Sequence, residues 1–394
     1  MMKVLITGGR GFLGRNLAAR LGGRNDCEML VFDREDSQSD LLSWLSVADV
    51  VFHLAGVNRP KDPGEFESGN AGFTELICDL LRKAGRTPTI VFASSTQAEL
   101  ESPYGLSKRK AEQTLRAFAA STGASVRIYR LKNVFGKWCR PNYNSVVATF
   151  CHNIANDLPI QISDPRRELE LVYVDDVVNA FLAELEAGPL PDGRGSVTGV
   201  VNASRDYASE IPSVRLTLGD LVGRIQSFHD MRTNLLAPDF AVRFNQQLYA
   251  TYLSYVPNEA RSQHLELKSD QRGCLAEFIK SNNFGQIFIS RTRPGITRGN
   301  HYHHTKAEKF FVVEGEGVIR MRQIESSEVV EYRVRGEAFQ VIDIPPGYTH
   351  SIENIGAGDM VTLFWADEIF DPDRPDTHFL PVLARAESAI PVTK

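Results

Sequence analysis

The feature that most constrains this chain is a glycine turn, Gly8-x-x-Gly11-x-x-Gly14. It follows a short apolar run, Lys3-Val4-Leu5-Ile6-Thr7, and opens a stretch at helical period, Phe12-Leu13-Gly14-Arg15-Asn16-Leu17-Ala18. Glycine permits the tight turn and lets backbone N–H groups approach a pyrophosphate at a helix N-terminus. Apolar runs recur at Met29–Phe32, Val50–Leu54, Thr89–Ala93 and Val126–Leu131, with helical patterns such as Thr74–Lys83 and Lys108–Ala120 between them. Continuous apolar strands alternating with helices predict an α/β fold, a Rossmann-like doubly wound parallel sheet covered on both faces. Asp33 lies nineteen residues after Gly14, where a carboxylate would bind a ribose 2′-OH and favour NAD(H). Arg34 beside it could pair with a 2′-phosphate and favour NADP(H). The two signals conflict.

A chain of 394 residues is too long for one core and predicts more than one domain. The net charge of −5 argues against nucleic acid as a partner, and no apolar run reaches the roughly 18–20 residues that span a bilayer. Met1 to Gly9 runs straight into a strand pattern, which argues against a secretory signal. Five cysteines with no CxxC fit a reducing, cytoplasmic compartment, with Cys27, Cys78 and Cys274 read as buried thiols.

Hydride transfer to a ketone needs an acid for the oxygen as it becomes an alkoxide, and a tyrosine whose pKa is lowered by a nearby ammonium can serve. Tyr104-Gly105-Leu106-Ser107-Lys108 places Tyr and Lys four apart on one helix face. Upstream, the run Thr89–Ala93 ends in Ser94-Ser95-Thr96, at the strand edge where α/β sites lie. These stretches resemble the extended short-chain dehydrogenase/reductase family of nucleotide-sugar epimerases, dehydratases and reductases. The matching strings are Thr7–Gly14, His53-Leu54-Ala55-Gly56, Asn70-Ala71-Gly72, Ser94-Ser95, Tyr104–Lys108, Arg130–Gly136 and Tyr173–Val177, in family order over roughly the first 180 residues. The resemblance implies that Ser95 orients the substrate carbonyl, with Ser94 and Thr96 as alternatives by register. Tyr104 would be the acid, and Lys108 would lower its pKa and hold the ribose. It places Gly8, Gly11, Phe12, Leu13, Gly14, Asp33, Arg34, Leu54, Ala55, Gly56, Tyr104 and Lys108 around the cofactor. One departure stands out: Gln97-Ala98-Glu99-Leu100 replaces the V-Y-G that many members carry after the serine.

Gly188–Gly199 reads as a loop and Leu216–Phe228 as an amphipathic helix, after which the pattern changes around Tyr249–Pro257. From Leu265 come short runs, Gly285–Arg291, Lys309–Val313, Gly317–Arg322, Glu328–Val334 and Met360–Trp365, spaced as in an all-β barrel. The expected domains are 1–250 and 255–394. Within the second, His301 and His303 at i and i+2 face one way on a strand, and Glu308 and His350 can converge on them. Three imidazoles and a carboxylate suit Zn, Fe, Ni or Mn. Gly295-x5-His301-x-His303-x4-Glu308-x6-Gly315 and Pro345-Pro346-Gly347-x2-His350-x3-Asn354 resemble the two cupin motifs. The second lacks its leading glycine, with Phe339 in that place.

As a whole the chain resembles a family of capsular-polysaccharide synthesis enzymes that fuse such a reductase to a cupin. Strings that carry this include Gly56–Pro60, Phe135–Cys139, Pro141–Ser145, Gly299–Lys306 and Gly347–His350. The resemblance implies a UDP-4-keto-6-deoxy-hexosamine substrate, C3 epimerisation by the cupin, C4 reduction with NADPH, zinc as the divalent metal, and a homodimer. His301 or a neighbour could be a base rather than a ligand. Two other readings stay open: a pure reductase whose cupin dimerises or senses sugar, and a metal-dependent dioxygenase or isomerase cupin joined to a dehydrogenase for another substrate.

Overall fold

The computed structural model describes residues 1–62, 64–186 and 211–383. The loop expected at Gly188–Gly199 lies outside them. The chain forms two compact units, Met1–Gln226 with Gln246–Pro257, and Ser227–Asn245 with Asn258–Lys394.

In the first unit β1 (Met2–Thr7), β2 (Cys27–Phe32), β3 (Val50–His53), β4 (Thr89–Ser95) and β5 (Val126–Leu131) form a parallel sheet ordered β2-β1-β3-β4-β5. Alternate side chains of a strand point to opposite faces, so an unbroken apolar run feeds two cores. Val4, Ile6, Phe52 and Val91 join one cluster, with Leu17 of the helix Phe12–Leu21 and Phe181 of the helix Val174–Glu186. Leu5, Val51, Ile90 and Phe92 join the other, with Leu41, Leu81 and Phe118 of the helices Gln38–Leu45, Phe73–Ala84 and Pro103–Thr122. Each such large side chain, fully buried, contributes about 1.5–3 kcal/mol. From β1 the sheet grows outward to β2 and then on the other side to β3. This reversal opens a crevice beyond the C-terminal ends of β1 and β3, where ligands of such folds bind. A small sheet follows, β6 (Asn133–Phe135) parallel to β7 (Glu168–Tyr173), with β8 (Ser213–Thr217) antiparallel to β7.

The second unit is antiparallel. One sheet runs β16 (Val341–Ile344), β13 (Glu308–Glu314), β18 (Met360–Ala366), β11 (Gly285–Thr292), β10 (Gly273–Ser281) and β9 (Lys268–Asp270). The other runs β15 (Val330–Arg335), β14 (Glu316–Gln323), β17 (Tyr348–Asn354), β12 (Thr297–Tyr302) and β19 (His378–Phe379). Phe310, Val312, Ile319, Ile352 and Phe364 of the two sheets share one core. This is the all-β architecture expected, in keeping with a cupin-like barrel. The unit also takes residues ahead of the sheets: Lys280 N–H donates to Leu235 O at 2.8 Å and Ala237 N–H to Lys280 O at 2.7 Å.

At Phe339, where the second barrel motif wants glycine, the backbone has φ 48° and ψ 43°. The turn keeps a glycine conformation that costs a side-chain residue about 1–2 kcal/mol. All five cysteines are free. Cys27 and Cys78 are buried as expected, but Cys274 is only half-buried.

Candidate functional site

The glycine turn closes as its spacing requires. Gly8 sits at φ 73°, and a Cβ there would lie 2.7 Å from the Cα of Ala55. Its N–H donates to Phe32 O at 2.8 Å, and Gly11 N–H returns to Gly8 O at 3.0 Å. A Cβ on Gly14 would lie 2.2 Å from Gly8 O, so the helix Phe12–Leu21 packs onto the turn only with glycine at that point. A dinucleotide cradle that side chains would fill is thus left open, and it fits the group expected.

A cleft of about 950 Å³ runs from this turn. Gly8, Gly11, Phe12, Leu13, Gly14, Leu54 and Gly56 line it, together with Ser95, Tyr104 and Lys108. It is also lined by Asn133, Trp138, Arg140, Tyr143, Arg167 and Tyr255, which sequence reasoning did not single out as site residues. Asp33, Arg34 and Ala55 are not among the described lining residues. Asp33 accepts N–H bonds from Arg10 at 2.8 Å and Arg34 at 2.9 Å, which ties the end of β2 to the glycine turn.

The end of β4 sets its two serines in different surroundings. Ser94 is buried and donates to Glu112 Oε1 at 2.6 Å. Ser95, like Ser94, lines the cleft with Tyr104. Ser102 caps the helix Pro103–Thr122 by accepting Gly105 N–H at 3.1 Å, with Pro103 in its first turn. The departing segment Gln97–Leu100 is folded onto this helix by Arg109, which donates to Ala98 O and Leu100 O at 2.9 and 3.0 Å. Burial raises the pKa of Tyr104, and the Ser95 hydroxyl pulls the other way. The expected lowering is therefore absent from the protein alone, and the phenol stays protonated, as a proton donor must. Lys108 is 5% exposed, donates to Ala93 O at 3.0 Å, and is pushed down by burial to about 8.

Two residues that the sequence offered only within family strings, without a role, hold this site together. Asn70 accepts Val57 N–H at 2.8 Å and donates to Ser107 Oγ at 2.9 Å, joining the segment after β3 to the tyrosine helix. The string Asn70-Ala71-Gly72 had pointed to it. His53 bridges Thr7 and Thr74, each at 2.8 Å, and burial followed by the Lys108 charge lowers it to about 3, so it is a neutral strut.

In the second unit His301, His303, Glu308 and His350 bring one ligand atom each within 4.8 Å of one another. His301 pairs with His350 across β12 and β17, after a bulge at Asn300, which has φ 57°. Glu308 Oε2 lies 3.1 Å from His303 Nε2 and 3.2 Å from His350 Nε2. Burial would raise Glu308, but the two imidazoles hold it far below the usual carboxylate range. His301 is lowered to about 4, by burial first and then by the neighbouring imidazoles. His350 is fully buried, and its Nε2, despite that contact, has no hydrogen bond of good geometry. An orphaned imidazole nitrogen facing two imidazoles and a carboxylate fits a divalent ion.

Asp376 is the part sequence did not show. Its carboxylate accepts N–H bonds from His304, Thr305 and Lys306 at 2.9, 2.8 and 3.2 Å, and its carbonyl accepts from His303 Nδ1. An acceptor at Nδ1 fixes the ring so that Nε2 faces the cluster. The strap continues as β19 beside β12, and Arg322 donates to Pro381 O and Val382 O, each at 3.0 Å.

Fold and cleft together define a dinucleotide-binding domain of the epimerase/dehydratase class joined to an antiparallel β domain. Family profiles agree: "NAD dependent epimerase/dehydratase family" matches residues 4–194, and "Polysaccharide biosynthesis C-terminal domain" matches 268–378. The chain is 41% identical to UDP-2-acetamido-2,6-beta-L-arabino-hexul-4-ose reductase of Pseudomonas aeruginosa, over 96% of this chain and 98% of that protein. It superimposes on the capsular polysaccharide assembling protein CapF of Staphylococcus aureus with a TM-score of 0.87 at 44% identity, over 97% of this chain and 100% of that one. A UDP-glucose 4-epimerase of Thermotoga maritima shares the fold alone, at 21% identity and a TM-score of 0.50, over 64% of this chain and 98% of that one. The chain belongs to the CapF family of polysaccharide-biosynthesis proteins. That membership carries with it a nicotinamide cofactor. No helix among the described residues is long and apolar enough to cross a membrane.

Proposed function

We propose that the chain is a bifunctional oxidoreductase and epimerase acting on a UDP-4-keto sugar. In this reading the β unit epimerises C3 of a UDP-4-keto-6-deoxy-hexosamine. The first unit then reduces the C4 ketone with NADPH, giving UDP-N-acetyl-6-deoxy-L-talosamine for a surface polysaccharide on the N-acetyl-L-fucosamine route. The observation that carries it is the meeting of Ser95, Tyr104 and Lys108 with the glycine turn in one cleft, on a chain 41% identical to a hexul-4-ose reductase.

When bound, the dinucleotide supplies the hydride. Ser95 holds the C4 carbonyl oxygen, and Tyr104 gives its proton to that oxygen as charge develops there. Lys108 holds the ribose and supports the phenol electrostatically. Arg140 and Arg167, with Trp138 and Tyr143, suit a UDP diphosphate and base in the cleft. Exposed Arg34, beside Asp33 at the end of β2, can meet a 2′-phosphate, which supports NADPH over NADH.

A C3 proton is acidic only while C4 is a ketone, because the anion left behind is an enolate. Epimerisation therefore precedes reduction. A divalent ion, zinc by family likeness, held by His301, His303, Glu308 and His350, would supply positive charge against the enolate. His301, kept neutral by its surroundings, is the alternative base.

A homodimer is supported by the outward face of the larger β sheet. There Ile287, Ile289, Leu363 and Trp365 are part-exposed, and Val313 and Val341 are 47% and 52% exposed. The five free cysteines and the UDP-sugar substrate support a cytoplasmic location.

The test uses the full-length protein with a UDP-4-keto-6-deoxy-hexosamine in heavy water, with and without NADPH. Deuterium should enter C3 without nicotinamide, and C4 reduction should begin only when NADPH is added. Reduction with no label at C3 would leave a reductase alone, its β unit a dimerisation or sugar-sensing module.

A further inference from the structure

Behind the cleft lies a buried polar cluster that none of the proposed steps uses. Glu112 is fully buried one helical turn beyond Lys108. Its Oε1 accepts from Ser94 Oγ at 2.6 Å and from Arg130 Nε at 2.9 Å, and its Oε2 accepts from Arg130 Nη2 at 2.7 Å. Arg130, on β5 opposite Ser94, donates onward to Glu99 Oε1 at 3.0 Å. Ser95 is thus bracketed. Ser94 before it is tied to Glu112, and Glu99, in the turn after it, is tied to Arg130.

The same helix grips β4 a second time, since Lys108 Nζ donates to Ala93 O at 3.0 Å. Residues 108 and 112 therefore clamp residues 93 and 94. Two consecutive strand residues fixed to two helix residues one turn apart leave the strand end no freedom to slide or twist. That sets Ser95 against Tyr104.

The clamp also carries charge. Buried beside Lys108, Glu112 favours the ammonium over the amine, and Arg130 and Ser94 outweigh burial to keep the Glu112 carboxylate ionised. The other titratable groups around Lys108 are Tyr104 on its own helix, neutral His53 on β3 and, through Glu112, Arg116 and Arg130. Of these only Glu112 is anionic.

We propose that Glu112 is a positioning residue of the reductase site, holding Ser95 in register with Tyr104 through Ser94 and keeping Lys108 an ammonium. The proposal rests on the reductase reading above. It is tested in the full-length protein by steady-state reduction of a UDP-4-keto-6-deoxy-hexosamine across pH. Glu112→Gln keeps the size and the Ser94 contact but removes the charge. It should lower kcat about 10–100-fold with both KM values within about three-fold, as expected of a group that supports a catalytic one. The alkaline limb, near pH 8 for Lys108 in the wild type, should move to lower pH. Ser94→Ala keeps the Glu112–Arg130 pair, and should lower kcat several-fold without moving that limb. A folded Glu112→Gln protein with an unmoved limb marks Glu112 as merely structural and overturns the proposal. Should Glu112→Gln fail to fold, wild-type kcat in Ser94→Ala overturns it instead. Turnover that survives Tyr104→Phe is a different failure, because it removes the reductase reading itself and this proposal with it.

Discussion

At the reductase cleft, the groups proposed to face the reacting centre come from fourteen residues, Ser95 to Lys108, set against one glycine turn. In the β unit the four candidate ligands are spread over fifty positions, His301 to His350, and a strap from Asp376 to Val382 braces them. The first site is stabilised by elements that also build the sheet and its two cores. The second brings three imidazoles and a carboxylate together on and beside strands of the two sheets, with His303 oriented by Asp376 O and His350 by Tyr348 O. The first is expected to keep its shape without its cofactor, whereas the second should depend on its ion for stability as well as chemistry.

The largest effect expected of breaking that contrast is at Tyr104. Tyr104→Phe removes only the proposed proton donor and should lower C4 reduction by about 10²–10⁴-fold. Cofactor affinity, measured by fluorescence titration, should stay within a few-fold and the melting temperature unchanged. A turnover near wild type would show that another group gives the proton.

In the β unit, removing a ligand should damage metal content and fold together. Glu308→Ala should lose about one divalent ion per chain by elemental analysis and melt earlier, with a chelator reproducing the shift on the wild type. Asp376→Ala touches no ligand atom, yet it should weaken metal retention about 10–100-fold in a chelator competition by loosening the loop from His303 to Lys306. Both should leave NADPH binding untouched. Wild-type metal retention in Asp376→Ala would make the strap incidental.

A smaller effect separates the two cofactors. Arg34→Ala should weaken NADPH several-fold more than NADH, and equal losses would show that Arg34 does not read the phosphate. The smallest concerns the turn at Phe339, which is 78% exposed. Phe339→Gly should raise β-unit stability by up to about 1 kcal/mol in denaturant melts, because glycine meets no penalty at that φ. A loss of stability would mean that the Phe311–Phe339 ring contact outweighs the strain.

What the sequence revealed follows the same division. The parallel sheet was legible because each central strand is buried on both faces and so reads as an unbroken apolar run, as in Val4-Leu5-Ile6. Tyr104 and Lys108 were legible because a four-residue spacing on a helix is a local signal. Glu112 carries that same spacing from Lys108, but its partners Ser94 and Arg130 come from other strands, and only folding shows that it is buried with them. The ligands His301, His303, Glu308 and His350 stood out by residue type. Asp376 did not, since Asp371-Pro372-Asp373-Arg374-Pro375-Asp376 reads as an ordinary solvated loop. The strand β16 was also missed, because the four residues Val341-Ile342-Asp343-Ile344 are too short a run to stand out.

The strap also bears on the order in which the protein is made. His350, the last candidate ligand, leaves the ribosome twenty-six residues before Asp376. Throughout that interval His303 lacks the carbonyl that turns its ring, while every residue of the first unit has already been synthesised. Translation thus builds in a delay: the dinucleotide domain can fold during synthesis, and a complete ion shell waits for the strap. Nascent chains arrested after Pro375 should accordingly protect the first unit from protease yet leave the β unit open to cleavage even with metal supplied, and protection of both would remove the delay.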